Sequence, residues 1–286
     1  MVYVVYVFNL SFVLSLLFGV HHKIRNGSCL TSNECVLLLM RHHLLLSVAM
    51  GFCATLSAQF NYAPNAIAIP NLTHRFDGSV GVGFGRGEWL KSGEVQLAFS
   101  PANHVAMVAN ALSTGSKDIL EGTFQGSRYQ FWEAGMGVYQ AYKHGSISLL
   151  AGMGQGELDN NYAVNRQSSF SIRRWFVQPG IAYQDNYFSG GVAFRFNRLE
   201  YLRGETDYAI EEYDLKAIRT IEENAPFFLP ELGLRTGMHF SPVAINIHLT
   251  LVFPSLADLN YTMSNYTFAL SLDIGELTKK KEKRRK

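Results

Sequence analysis

The chain has 286 residues, with 25 Lys and Arg against 23 Asp and Glu and a formal net charge of +2. That balance leaves no broad basic field for a phosphate backbone, so no nucleic-acid partner is expected. Hydrophobic residues make up 48%, aromatics 13% and charged residues only 17%, with 25 glycines, a mixture suited to a barrel that is apolar outside and small or polar inside. The three cysteines, Cys29, Cys35 and Cys53, all lie near the N-terminus. A disulfide framework, a thiol nucleophile and a cysteine-ligated zinc are therefore excluded from the rest.

The first 58 residues read as addressing segments. Residues 2–20 are apolar and long enough to act as a signal anchor, but a second, complete signal begins at Met40. Arg41, His42 and His43 give it a positive start, residues 44–56 an apolar stretch, and Leu56-Ser57-Ala58 a small-residue cleavage site before Gln59. Residues 40–58 are accordingly expected to be a cleaved signal peptide. Residues 1–39 are then a leader or the product of a mis-called start codon.

The body, residues 59–275, alternates with the period of strands. Val80, Val82 and Phe84 oppose Gly81, Gly83 and Gly85, and Val95, Leu97 and Phe99 oppose Glu94, Gln96 and Ala98. Residues 105–112, 128–142, 146–155 and 170–184 continue the series, with Pro179 marking a bulge or local break. Val192 and Phe194 then oppose Ser189, Gly191, Ala193 and Arg195, while Leu232, Leu234, Met238 and Phe240 oppose Glu231, Gly233, Arg235, Gly237 and His239. The clearest alternation comes last. Val243, Ile245, Ile247, Leu249 and Leu251 face away from Ala244, Asn246, His248 and Thr250, and Tyr266, Phe268, Leu270 and Leu272 face away from Thr267, Ala269, Ser271 and Asp273. These segments predict an all-β fold, an antiparallel up-and-down transmembrane β-barrel of about ten strands (roughly 8–12).

A soluble barrel that binds an apolar ligand would alternate too, with its apolar face inward. Three features favour a membrane. Connections alternate between short (near 100–104, 143–145, 185–187 and 241–242) and long (113–127, 157–169, 200–227 and 254–265), as periplasmic turns and external loops do. Polar faces carry mid-strand charge. Aromatics (Trp89, Tyr129, Tyr142, Trp175, Tyr183, Tyr187, Phe253 and Tyr266) gather near strand ends as interfacial girdles. An even strand number would put both termini on the periplasmic side.

Four stretches carry a family resemblance: Tyr62-Ala63-Pro64-Asn65, residues 131–139 (FWEAGMGVY), residues 176–183 (FVQPGIAY) and residues 229–237 (LPELGLRTG). They resemble an uncharacterised family of Bacteroidota outer-membrane β-barrel proteins. The resemblance implies a bacterial outer-membrane location and a barrel fold, and its motifs are strand patterns that supply no activity. The tail departs from the aromatic ending usual in such barrels.

No catalytic, cofactor-binding or metal-ligating signature is found. The glycine run at residues 81–87 lacks the spacing and following helix of a phosphate loop. The candidate lumen network is Glu94, Glu133, Arg195, Glu231, Arg235, His239, His248 and Asp273, all on the polar faces. Its charges either pair as an internal plug, favoured in a barrel this narrow, or line a pore. His239 and His248, on strands joined at Ser241-Pro242, could serve a hydrolytic pair, but GxSxG and HExxH are lacking. The acidic stretch 200–227 carries Glu205, Asp207, Glu211, Glu212, Asp214, Glu222 and Glu223, with Ile210, Tyr213, Ala217 and Ile221 at the spacing of a short surface helix. The basic tail, residues 276–286, reads as a solvated charge run. The expected role is a structural or surface-binding outer-membrane barrel without catalysis; the alternatives are a narrow pore for ions or small solutes and a lipid-modifying enzyme. Expected partners are outer-membrane lipid and the barrel-assembly machinery, with no cofactor and an external ligand left open.

Overall fold

A computed structural model describes residues 61–87, 91–115, 118–120, 123–163, 166–185, 187–206, 218–219, 221, 223, 225–253 and 262–275. All belong to the unit Leu56–Lys286. The expected leader and signal peptide, Trp89, half of the acidic stretch and the basic tail lie outside them.

Eleven strands follow in chain order: β1 (Gly78–Gly87), β2 (Lys91–Ala102), β3 (Val105–Gly115), β4 (Asp118–Leu120), β5 (Thr123–Tyr142), β6 (Gly145–Ala163), β7 (Arg166–Gln184), β8 (Phe188–Thr206), β9 (Phe227–Phe240), β10 (Val243–Val252) and β11 (Ser264–Asp273). Each pairs antiparallel with its chain neighbour, β3 pairs with β5, and β1 pairs with β11. The result is a closed up-and-down barrel of ten strands, with the three-residue β4 clipped to the start of β5. Closure leaves no unpaired edge, which an apolar membrane interior requires of a spanning sheet. No helix among the described residues is long and apolar enough to cross a membrane.

Side chains sort by parity. Val80, Val82, Phe84, Ile245, Ile247, Phe268 and Leu270 stand exposed on the outside, while Glu94, Glu133, Arg195, Glu231 and His248 are buried within. An apolar exterior around a charged interior is the arrangement of a barrel solvated by lipid. The ten residues of β1, at a rise of about 3.3 Å and a tilt of about 40°, span roughly 25 Å, the height of such an apolar band.

The strands are unequal. β5 to β8 run 19 or 20 residues, whereas β1 and β9 to β11 run 10 to 14. On the long strands the outer face changes character along one line: Trp132, Met153, Trp175 and Phe196 lie on its apolar side, and Gln130, Gln155, Arg173 and Arg198 on its polar side. Beyond that line the inner face turns apolar. Tyr129, Phe131, Leu158, Phe170, Ile172, Leu199, Phe227 and Leu229 form a buried cluster joined by Ile218 and Ile221. The four long strands thus rise out of the membrane as a wall with a core like that of a soluble protein.

That reversal corrects several expectations. Residues 157–163 and 166–169 are strand, not a long loop, and strand also occupies 113–115, 123–127, 200–206 and 264–265. The period of two continues there, but without apolar residues on the outer face the alternation no longer signals a lipid-facing strand. Tyr129 is fully buried inside the wall, so it is no girdle residue, whereas Tyr142, Trp175, Tyr183 and Tyr187 are exposed as expected. Ile221 is helical, as the spacing predicts, and its buried face packs with Ile218 into the wall core while Arg219 and Glu223 stay exposed; Ile210, Tyr213 and Ala217 lie outside the described residues. At Pro179 the ladder toward β8 lapses between Val177↔Phe196 and Gly180↔Ala193 without change of register, a local break with no bulge.

Candidate functional site

The lumen is occupied by the segment of the chain that precedes β1. Residues 61–70 and Leu72 run through it, and every residue from Asn61 to Pro70 is buried. Pro64 and Pro70 bar this stretch from a β-ladder, so its carbonyls need other donors. The wall supplies them. Tyr201 donates to Asn61 O (2.6 Å), the Thr262 N–H to Tyr62 O (2.9 Å), Asn265 to Pro64 O (3.1 Å) and Thr250 to Asn65 O (3.1 Å). Further along, Gln96 and Asn110 donate to Ala66 O (2.9 and 3.0 Å), Gln178 to Ala68 O (2.7 Å) and Ser146 to Pro70 O (3.3 Å). Ala66 in turn donates its N–H to Glu94 Oε2 (3.2 Å).

These contacts fix a direction. Tyr201 and Thr262 stand at the long-connection end of the barrel, whereas Ser146 and Gln184, which Asn71 touches at 3.2 Å, stand at the short-turn end. The thread therefore enters from the long-connection end and leaves at the short-turn end, where β1 begins. The expectation that both termini share the short-turn side holds for the end of β11 and fails for the thread, because a segment inside the lumen reverses the entry side.

Two inward glycines make room for it. A Cβ on Gly233 would come within 2.7 Å of Ile67 Cβ, and one on Gly191 within 2.7 Å of Ile69 Cγ2. Ile67 and Ile69 pack there with Ala182 and Ala193. Across the lumen, Ala68 and Leu72 join Ala98, Ala106, Val108, Tyr139, Leu150 and Phe176.

At mid-lumen, thread and wall share a buried ionic cluster. Arg174 hydrogen-bonds and ion-pairs with Glu133, donates to Asn65 Oδ1 (2.6 Å) and to the Tyr62 hydroxyl, and lies 3.9 Å from Glu231. Arg195 meets Glu133 at 3.2 Å and Glu231 at 3.9 Å, and donates to Gln178 Oε1 at 2.8 Å. Tyr62 donates to Glu231 (2.5 Å) and Asn65 to Glu133 (2.7 Å). The arginines also stack on inward rings, Arg174 over Phe131 at 4.4 Å and Arg195 over Phe176 at 4.8 Å. Two acids face two guanidiniums, so the cluster is locally neutral, the condition under which ions tolerate burial.

The eight predicted lumen residues are all on inner faces, yet they separate into three places. Glu133, Arg195 and Glu231 meet in the cluster. Glu94 holds the thread instead, accepting from Asn110 (2.6 Å) as well as from Ala66. It also borders a cavity of about 40 Å³ with Arg235 and His248, which face each other across β9 and β10. His239 lies opposite Ala244 near the short-turn end, beside Gln184, and Asp273 opposite Ser79 at the same rim. His239 and His248 are thus four register positions apart, about 13 Å at the rise of a strand. No group of His, Cys, Asp or Glu among the described residues could hold a metal ion.

Sequence reasoning missed Arg174, Gln178, Tyr62 and Asn65. Arg174 has the parity of Phe170, Ile172 and Phe176, opposite the outward Trp175 and Val177, and that parity was readable. The thread's signal was an apolar stretch bounded by two prolines, unable to join a sheet yet needing burial.

No protein-family model matches the chain, and no curated protein sequence matches it. Among solved structures, the translocator domain of the autotransporter NalP from Neisseria meningitidis is similar, with 10% identity over 84% of this chain and 96% of that chain and a TM-score of 0.33.

Proposed function

We propose that this chain is a bacterial outer-membrane barrel with a structural or surface-binding role, sealed by its own N-terminal thread and without catalysis. The observation that carries the reading is the thread itself: ten buried residues whose carbonyls and side chains are bonded to almost every strand of the wall. A solute path would have to displace a neutral, hydrogen-bonded core and not merely widen a gap, so the narrow pore is the weaker reading. Separation of His239 from His248 speaks likewise against a paired hydrolytic site.

On this reading the wall of β5 to β8 and the acidic connection after Thr206 stand outside the cell, and the short turns face the periplasm. The placement follows the asymmetry of connection lengths, and membership of a Bacteroidota barrel family fits the same location. An epitope inserted within residues 207–217 should be reached by antibody on intact cells. The same epitope between Lys143 and His144 should be reached only after the outer membrane is opened. The opposite labelling would overturn the proposed orientation.

A further inference from the structure

The outer surface carries a long apolar groove that ends on arginines. Adjacent strands line up Leu97, Ala109, Ala134, Met153, Trp175 and Arg198 in one register row. All six side chains point outward, because their parity is that of the lipid-facing residues. Ala109 and Ala134, with Ala151 in the next row, give the groove a shallow floor between Met107, Met136, Met153 and Trp175. Its volume is about 820 Å³. Rows run perpendicular to strands, and the strands of such a barrel are tilted, so the groove slants through the membrane. From Ala109 to Arg198 it crosses four strand spacings of about 4.8 Å, roughly 19 Å.

Its upper end lies at the line where the exterior turns polar. Arg198 borders the groove there, and Arg173 sits two register positions further along β7, opposite Glu200. Arg198 reaches Glu200 at 3.0 Å, an exposed pair that contributes little and yields easily to a stronger acceptor. Among the described residues Arg173 makes no ion pair, and its Nε, though shielded from solvent, has no hydrogen-bond partner. The weak Arg198–Glu200 pair and the unpaired Arg173 leave both guanidiniums able to turn to an anion where the apolar slot meets water.

We propose that this groove is a lipid site, taking one acyl chain of a phosphate-bearing membrane lipid with the phosphate held by Arg173 and Arg198. The slot removes methylenes from no water that the bilayer has not already excluded, so selectivity comes from the charged end. Arginine meets phosphate with two parallel hydrogen bonds, which a neutral headgroup lacking exposed phosphate oxygens does not return. The inference rests on the barrel standing in a membrane. It does not depend on which membrane, or on the lumen being sealed.

The test uses the full barrel in detergent, exchanged against phosphatidylglycerol or a neutral diacylglycerol and weighed intact by native mass spectrometry. The expected result is one retained phosphatidylglycerol and no retained diacylglycerol. Retention should fall about tenfold for the Arg173→Gln, Arg198→Gln double variant, and similarly for Ala134→Phe, which fills the groove from its floor. Heat-modifiable gel migration shows that each variant is still folded. Equal retention by wild type and folded variants overturns the site, as does a stable dimer that Ala134→Phe disrupts, since a second copy would then be the occupant. A protein that stays folded and soluble without detergent would defeat the membrane reading itself, a result distinct from either.

Discussion

Glu133 accepts from Asn65 and pairs with both Arg174 and Arg195, so a single carboxylate ties thread to wall. Replacing it by Gln leaves two buried guanidiniums facing one remaining acid. Breaking a buried ion pair costs about 3–5 kcal/mol, and urea titration in detergent, followed by tryptophan fluorescence, should show a loss of that order for Glu133→Gln. A wild-type midpoint in that variant would mean that the cluster contributes nothing. Gly233→Val acts from the other side. Its new Cβ falls where Ile67 already sits, 2.7 Å away and part of a side chain held on both flanks, so the thread must shift. Lower stability together with protease sensitivity near Ile67 is expected. Unchanged resistance would show that the thread does not press on Gly233.

At the scale of strands and turns, the exteriors of β10 and β6 make a contrast. Ile247 on β10 faces lipid near mid-band, and Arg there should cost about 2–4 kcal/mol and impair heat-modifiable assembly. Gln155, beyond the polarity line on β6, should accept Arg with little change. The turn between β7 and β8 has its own device. Asp185 accepts the N–H groups of Tyr187 and Phe188 at 2.8 and 2.7 Å. Partial burial raises its pKa, but these donors outweigh it and hold the carboxyl below its ordinary value. A depressed folded pKa stabilises the turn above the unfolded value and loses that stabilisation as pH falls through the folded one. Amide exchange of Tyr187 and Phe188 should therefore quicken only on acidification below the usual carboxylate range. Asp185→Asn should remove the pH dependence while keeping an acceptor; the same acid profile in that variant would rule out Asp185 as its cause.

These elements also show what a sequence discloses. In the first half of β10 and the middle of β11 one face meets lipid and the other meets the lumen, so Ile245, Ile247, Phe268 and Leu270 announce it directly, whereas Leu249, of the same parity, is buried. In β5 to β8 the same parity serves two solvents. Phe131, Phe170 and Leu199 are inward in a wall above the membrane, while Met136, Val177 and Phe194 are outward within it, and a reading that seeks one apolar face ends the strand too soon. The charged pairing was legible as far as parity reached, to Glu133, Arg195 and Glu231. The thread was not, because its partners are 28 to 201 residues away in sequence and no local period connects Pro64 to Asn265.

At the largest scale, the barrel is a transmembrane tube with the segment before β1 drawn through it, a neutral ionic core within and a wall of long strands on one side. The central claim is that this lumen is closed. Single-channel recording in planar bilayers tests it most directly, using protein whose insertion is verified by heat-modifiable migration of the recovered material. A closed lumen passes no stepwise current from the wild type at either polarity, and steps are expected in a folded Gly233→Val variant whose thread has been dislodged. Steady ohmic steps from the wild type would contradict it.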